Sequence, residues 1–260
     1  MDNFSPGTLQ VSTSGPVGRL TLNNPDKLNP LSTQCLQELV QAANWFNARP
    51  EIRAVVVHGE GRAFTAGADL AGFSGSASGF ARSAADEGRL MAEAIEGMLA
   101  VTIAAIHGHC VGGGVVLAAA CDLRVAAKTT RFAIPEVDLG IPLAWGGIQR
   151  LVREIGPAPT RDLVLTCRPF SAAEALSLGL LNRVVPDGTH LDAAAELAQQ
   201  LASKSKLTLR ATLAAVDAAA EALVSTGTAW SDADALANAQ HDPESREVAA
   251  RYLAQRSAKS

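Results

Sequence analysis

The chain has 260 residues, 48% of them hydrophobic and 18% charged, with a formal net charge of −4. That length buries a substantial core in one large domain or in a main domain with an appendage. The acidic balance provides no basic field for nucleic acid or for an anionic membrane surface. Short β-branched and period-2 runs predict strands at Val17–Leu22, Ala54–His58, Thr102–Ile106 and Leu123–Ala126, with a shorter one near Arg183–Val185. Between them the spacing turns helical. Leu36, Leu39, Val40, Ala43 and Phe46 form one stripe, with Ser32 as a candidate cap and Pro50 beyond its end. Residues 85–100 carry a second stripe through Leu90, Met91, Ala94, Ile95, Met98 and Leu99. Segment 70–84 is rich in Gly and Ser without periodicity and reads as a mobile surface loop. From Ser171 onward the chain is Ala- and Leu-rich helix, punctuated at Pro186-Asp187-Gly188. Strand–helix alternation followed by helices alone predicts an α/β body with a helical tail, which must pack on its own body or on a neighbouring subunit.

Cys35, Cys110, Cys121 and Cys167 lie far apart, with no CxxC pair and no zinc spacing. Most sit in apolar surroundings, the pattern of reduced core thiols, and the expected setting is the cytoplasm. The start MDNFSPGTLQ has neither the basic residues nor the apolar core of a secretion signal. Apolar runs such as 111–121 are too short for a membrane span.

Three stretches have chemical potential. In GRAFTAGADL (61–70), Gly and Ala around a turn leave backbone N–H groups uncovered, able to donate to an anion or a polarised carbonyl; an ordinary strand-to-helix turn fits as well. In GHCVGGGVVLAAACD (108–122), a glycine triplet feeds a helix predicted to start near residue 113. That again presents free N–H donors, or simply permits close helix–strand packing. The pattern is neither GxGxxG nor a P-loop. In RFAIPEVDLGIPLAWGGIQRL (131–151), Glu136 stands among Phe132, Ile134, Val137, Leu139 and Ile141. A carboxyl desolvated in that way has a raised pKa and suits proton exchange near neutrality; equally, it is a structural acid paired with Arg131 or Arg150.

Taken together, five blocks in order resemble the enoyl-CoA hydratase/isomerase, or crotonase, family over nearly the whole chain: NNPDKLNPLS (23–32), GRAFTAGADL (61–70), GHCVGGGVVLAAACDLRVA (108–126), IPEVDLGIPLAWGGIQRL (134–151) and SAAEALSLGLLNRVV (171–185). The resemblance implies an α/β spiral of ββα units over residues 1–195 and a helical C-terminal region over 196–260 that supports homotrimers or dimers of trimers. It implies an acyl-CoA thioester as substrate, with coenzyme A part of that substrate and no separate cofactor or metal. An oxyanion hole of two backbone N–H groups maps onto Ala66 and Gly113, and the catalytic carboxylate onto Glu136. The stretch Ala66–Asp69, including Ala68, borders the adenine in such a mapping; Lys27 and Leu28 contact the nucleotide and pantetheine, and Tyr252 reaches a neighbour's CoA site.

The departures from the family pattern are informative. Hydratases of the family carry a second glutamate where this chain has Val116, and the dienoyl-CoA isomerase branch places acids at the positions of Val116 and Ala144. Trp145 replaces a small residue before the Gly146-Gly147 pair and is expected either to narrow the acyl pocket or to fill core. Gln255 stands where a basic residue is common. Asp122, His107 and His109 read as structural, and Asp138, two residues after Glu136, points elsewhere if the segment is extended. A single carboxylate on an oxyanion hole still suffices for Δ3,Δ2-enoyl-CoA isomerisation, since nothing need be added to the substrate. Hydration of 2-enoyl-CoA by Glu136 and non-catalytic acyl-CoA binding are the alternatives.

Overall fold

The computed structural model describes residues 7–69 and 82–257. Its main sheet has six strands in the order β1-β2-β3-β4-β6-β9: β1 (Leu9–Ser14), β2 (Val17–Leu22), β3 (Ala54–Gly59), β4 (Val101–Ile106), β6 (Leu123–Ala127) and β9 (Arg183–Val185). Only β1 runs antiparallel to its neighbour; the others pair in parallel. A smaller sheet joins β5 (His109–Val111), β7 (Arg131–Ala133) and β8 (Phe170–Ser171).

The two central strands, β3 and β4, are buried along their whole length, as parallel strands covered on both faces must be. Their alternation serves two cores. Val55 and Val57 point into the principal core with helices α1 (Thr33–Asn47) and α2 (Arg82–Glu96). Ala54, Val56, Ile103 and Ala105 face the other way, onto Ala194, Leu197 and Ala198 of a C-terminal helix, His190–Ala202. Ser32 caps α1 as its sequence promises, its side chain accepting from the Cys35 N–H at 3.2 Å.

The chain winds as a spiral in which each turn supplies a strand to the large sheet, a short extended piece to the small one, and a helix. β4, β5 and α3 (Gly113–Ala119) form one such turn; β6, β7 and α4 (Gly147–Ile155) form the next. In the preceding turn β3 is followed by Thr65, which bridges Cys110 of β5, and by Ala68, which bridges Leu31. Helices α5 (Pro157–Thr166) and α6 (Ala172–Leu178) lead to α7 (His190–Ala202), α8 (Lys206–Leu223), α9 (Asp232–His241) and α10 (Pro243–Ser257).

Three expectations shift. The division expected between residues 195 and 196 lies within α7, which packs against the large sheet and is joined to α8 by residues 203–205. The helix expected over 85–100 starts and ends earlier, at Arg82 and Glu96; beyond it the Asn47 side chain binds the Gly97 carbonyl and the Leu99 N–H, leaving Leu99 exposed. Of the surface loop expected over 70–84, residues 82–84 are helical and residues 70–81 lie outside the described residues. No described helix is long and apolar enough to cross a membrane.

His107, just after β4, stacks on His190 at the start of α7, with ring centroids 4.4 Å apart. Burial, and then the neighbouring His107 and His58, push the His190 imidazole down from 6.5 to about 4. The folded value lies below the unfolded one, so the native state is fully favoured above pH 6.5 and loses stability as pH falls toward 4. Denaturant midpoints measured between those limits should therefore fall with pH, and His190→Gln should flatten that slope.

Candidate active site

Thr65 pairs with Cys110, and Cys110 with Phe132, so three successive turns of the spiral lie in register across the small sheet. A few residues past each of these positions come Ala68, Gly113 and Glu136. All three line one pocket, together with Val116, Ala144, Trp145, the apolar run Ile141–Leu143, and Leu236 of α9. The repeat geometry of the fold thus brings together three segments that are distant in sequence.

Glu136 sits in a series of tight turns in which Leu139 and Ile141 N–H groups bond back to its carbonyl. The extended conformation assumed for Glu136–Asp138 is not found, and Asp138 is exposed outside the pocket. The Glu136 residue is only partly covered, but its Oε2 is sealed from solvent and has no hydrogen-bond partner. Desolvation raises its carboxyl from 4.5 to about 7, a backbone hydrogen bond of its own residue offsetting only part of the rise. The alternative of a structural ion pair is not realised. Arg150 instead donates to Glu96 at 2.5 Å, and Arg131 is exposed. Asp122 is occupied elsewhere: its Oδ2 accepts from the N–H and hydroxyl of Thr102 at 2.6 and 2.7 Å, anchoring β4.

The glycine triplet makes this contact possible. Gly112 has φ 53°, and a Cβ there would lie 2.4 Å from Glu136 Oε1. Only glycine combines that backbone conformation with that approach. Gly113 follows as the first residue of α3, and its N–H has no acceptor among the described residues.

The backbone N–H of Ala66, expected from the resemblance as a donor, is already bonded. The Ala66 N–H donates to the Leu28 carbonyl at 2.8 Å, and Ala66 itself is exposed. The N–H of Ala68 has no acceptor among the described residues. Its flanking groups bond to Leu31, through Leu31 N–H to Gly67 O and Asp69 N–H to Leu31 O, so its own N–H points to the opposite side. Gly67, with φ 91°, reverses the chain between the two alanines. Of the two alanines, Ala68 rather than Ala66 lines the pocket.

Sequence reasoning missed the residue that holds this loop in place. Asn29 is 2% exposed. Its side chain accepts from the Asn24 N–H at 2.9 Å and donates to the carbonyls of Glu60 and Ala63 at 2.9 Å and of Phe64 at 3.3 Å. Thr65 completes the clamp, donating its hydroxyl to Asn29 O at 2.6 Å and accepting from the Gly67 N–H at 3.0 Å. Lys27, Leu28 and Asp69 stand on these clamped loops outside the pocket, with Lys27 exposed. Tyr252 lies half-buried on α10 and does not line the pocket; His107 and His109 also lie outside it.

Residues 12–259 match the family model described as enoyl-CoA hydratase/isomerase. The chain belongs to the enoyl-CoA hydratase/isomerase family. It is 39% identical over 223 residues to a probable enoyl-CoA hydratase of Mycobacterium bovis, covering 85% of each chain. It is 34% identical over 233 residues to a peroxisomal Delta(3,5)-Delta(2,4)-dienoyl-CoA isomerase of Arabidopsis thaliana, covering 84% of each. Among solved structures, an enoyl-CoA hydratase from Bacillus anthracis superposes with a TM-score of 0.79 at 32% identity, over 90% of each chain.

Family membership makes the wall residues significant. Val116 and Ala144, where the resemblance calls for acids in two branches, both line the pocket, and Val116 is fully buried. No carboxyl enters from α3. Of the described residues around the pocket, Glu136 alone is ionisable.

Because Asn29 joins both loops that flank Ala68, Asn29→Ala should leave the buried Ala63 and Phe64 carbonyls unpaired. The expected loss is about 2 kcal/mol or more of folding stability, read as a lower denaturant midpoint, together with weaker binding of CoA thioesters.

Proposed function

We propose that the chain acts on acyl-CoA thioesters by Δ3,Δ2-enoyl-CoA isomerisation. One observation carries this reading: a single unpartnered carboxyl faces an otherwise apolar pocket beside two unbonded backbone donors. The Glu136 carboxylate takes a proton from C2 of a 3-enoyl-CoA, and the electron pair moves onto the thioester oxygen. The N–H groups of Ala68 and Gly113 hold that oxygen as its charge develops, a contribution worth a few kcal/mol per donor in comparable sites. The protonated Glu136 then returns the proton at C4, leaving the conjugated 2-enoyl-CoA. Atoms balance with no water and no cofactor, so one carboxyl serves as base and then acid. A value of about 7 suits both roles near neutrality.

A second reading, hydration of 2-enoyl-CoA, is favoured by the Mycobacterium bovis relative, which is named a probable enoyl-CoA hydratase. It asks Glu136 alone to position and deprotonate water, with Val116 supplying no second carboxylate. A non-catalytic acyl-CoA binder would keep a costly desolvated carboxyl without using it.

In this scheme Lys27, Leu28 and Asp69 meet the CoA portion, a placement supported by the Asn29 clamp beside Ala68. We also propose self-association as a homotrimer or dimer of trimers through residues 196–260, with Tyr252 near a neighbour's CoA site. The support is α8, which buries no residue and leaves Leu207 79%, Val216 59% and Leu223 84% exposed. Four buried free thiols accord with a cytoplasmic setting.

With 3-enoyl-CoA as substrate, the absorbance of the conjugated thioester should rise with wild-type protein and fall by about 10²–10⁴-fold in rate with Glu136→Gln. An unchanged rate in that variant would remove Glu136 from the chemistry. Since the base must be ionised and its carboxyl is raised to about 7, kcat/KM should climb as pH rises through 7.

A further inference from the structure

Trp145 is held in a conformation that a bulky residue rarely adopts. Its φ is 65°, in the left-handed region, where large side chains carry strain that surrounding contacts must maintain. Those contacts are present on both sides of the turn. Arg150, 1% exposed, donates to the carbonyls of Trp145 and Gly146 at 3.1 and 3.3 Å and is itself braced by Glu96 at the end of α2. Asp232, opening α9, accepts from the Gly146 N–H at 2.8 Å.

The indole so held lies between two helices that have no side chain to meet it. A Cβ on Gly88 of α2 would fall 2.0 Å from indole Cδ2 and Cε2, and one on Gly113 of α3 would fall 2.2 Å from Cζ3. Glycine in the interior of a helix such as α2 is unfavourable relative to alanine, and at Gly88 the indole is what occupies the space. Trp145 is thus wedged between α2 and α3, and it forms a wall of the pocket that contains Glu136. The free space left inside the pocket is small, about 30 Å³, well below the several hundred Å³ of a site for a drug-sized ligand. Two facing glycines offer nothing to collapse into the space if the ring is removed, so that space would open as an extension of the pocket.

The geometry points to Trp145 as the specificity-determining residue for acyl length: it forms a wall of the pocket shared with Val116 and Ala144 and limits the substrate to short acyl thioesters. This rests on the acyl-CoA reading of the site. The strained backbone, the two-sided brace and the paired glycines all serve to hold one large ring in one place, which a residue that merely filled core would not require.

The test uses full-length protein and measures both binding and turnover. Calorimetric binding of butyryl-CoA and decanoyl-CoA, which cannot react, is compared for wild type, Trp145→Ala, Trp145→Phe and Gly88→Ala. Wild type should bind the short thioester at least about tenfold more tightly than the long one. Trp145→Ala should erase or reverse that ratio, and Trp145→Phe should do so in part, retaining more of the fold if the alanine variant is unstable. Gly88→Ala, which drives the ring toward the pocket, should weaken even butyryl-CoA. Turnover of 3-enoyl-CoAs of matching lengths should show the same change in KM, with kcat for the short substrate far less affected. Variants that lose stability but keep the wild-type length profile, or a wild type that binds decanoyl-CoA as well as butyryl-CoA, overturn the proposal and leave the acyl-CoA reading intact. If neither thioester binds to wild type, the acyl-CoA reading fails and the specificity proposal fails with it.

Discussion

The contact between the Glu136 carboxyl and the bare Cα of Gly112 is the constraint on which the site depends. Because no side chain stands at Gly112, Oε1 comes against the start of α3, where a Cβ would be 2.4 Å away. Because nothing on that side donates to Oε2, the carboxyl is left desolvated and unpartnered. A buried polar atom without a partner is costly, and such a cost persists in a fold only where the surrounding structure enforces it. Here the enforcement is topological. The turn after β7 carries Glu136, the turn after β5 carries Gly112 and Gly113, and the small sheet holds the two strands in register. The same register extends to Thr65 and hence to Ala68, so Glu136, Gly113 and Ala68 are positioned by one sheet rather than by three independent loops.

Much of this was legible in the sequence, and the reasons are specific. β3 and β4 announce themselves because strands covered on both faces must be apolar throughout, and Ala54–His58 and Thr102–Ile106 are nearly so. Glu136 was legible as an acid without polar company, and the glycine triplet as a backbone feature. What was not legible is direction. Two alanines flank Gly67, and the choice between them depends on the sign of one backbone angle, φ 91°, which leaves no trace in composition. Asn29 was quoted within NNPDKLNPLS but gave no local signal, since its partners Glu60, Ala63 and Phe64 are brought to it only by the fold. The role of Gly88 was hidden for the same reason: it becomes meaningful only once Trp145 is seen against it.

The division of the chain shows how packing overrides a composition boundary. Ala-rich helix begins well before the tail ends its contact with the body, and α7 covers the second face of the large sheet through Ala194, Leu197 and Ala198. The α8 helix, by contrast, buries nothing of its own. The first is part of the body; the second leaves Leu207, Val216 and Leu223 exposed, and within residues 196–260 it is this helix that supports the proposed self-association.

The central claim is that one desolvated carboxyl relocates a proton within the substrate and adds nothing to it. The direct measurement is mass analysis of the products formed from a 3-enoyl-CoA in water labelled with heavy oxygen. The account predicts a 2-enoyl-CoA of the substrate's own mass, free of label, as the principal product. A 3-hydroxyacyl-CoA carrying the heavy oxygen as the principal product would contradict it.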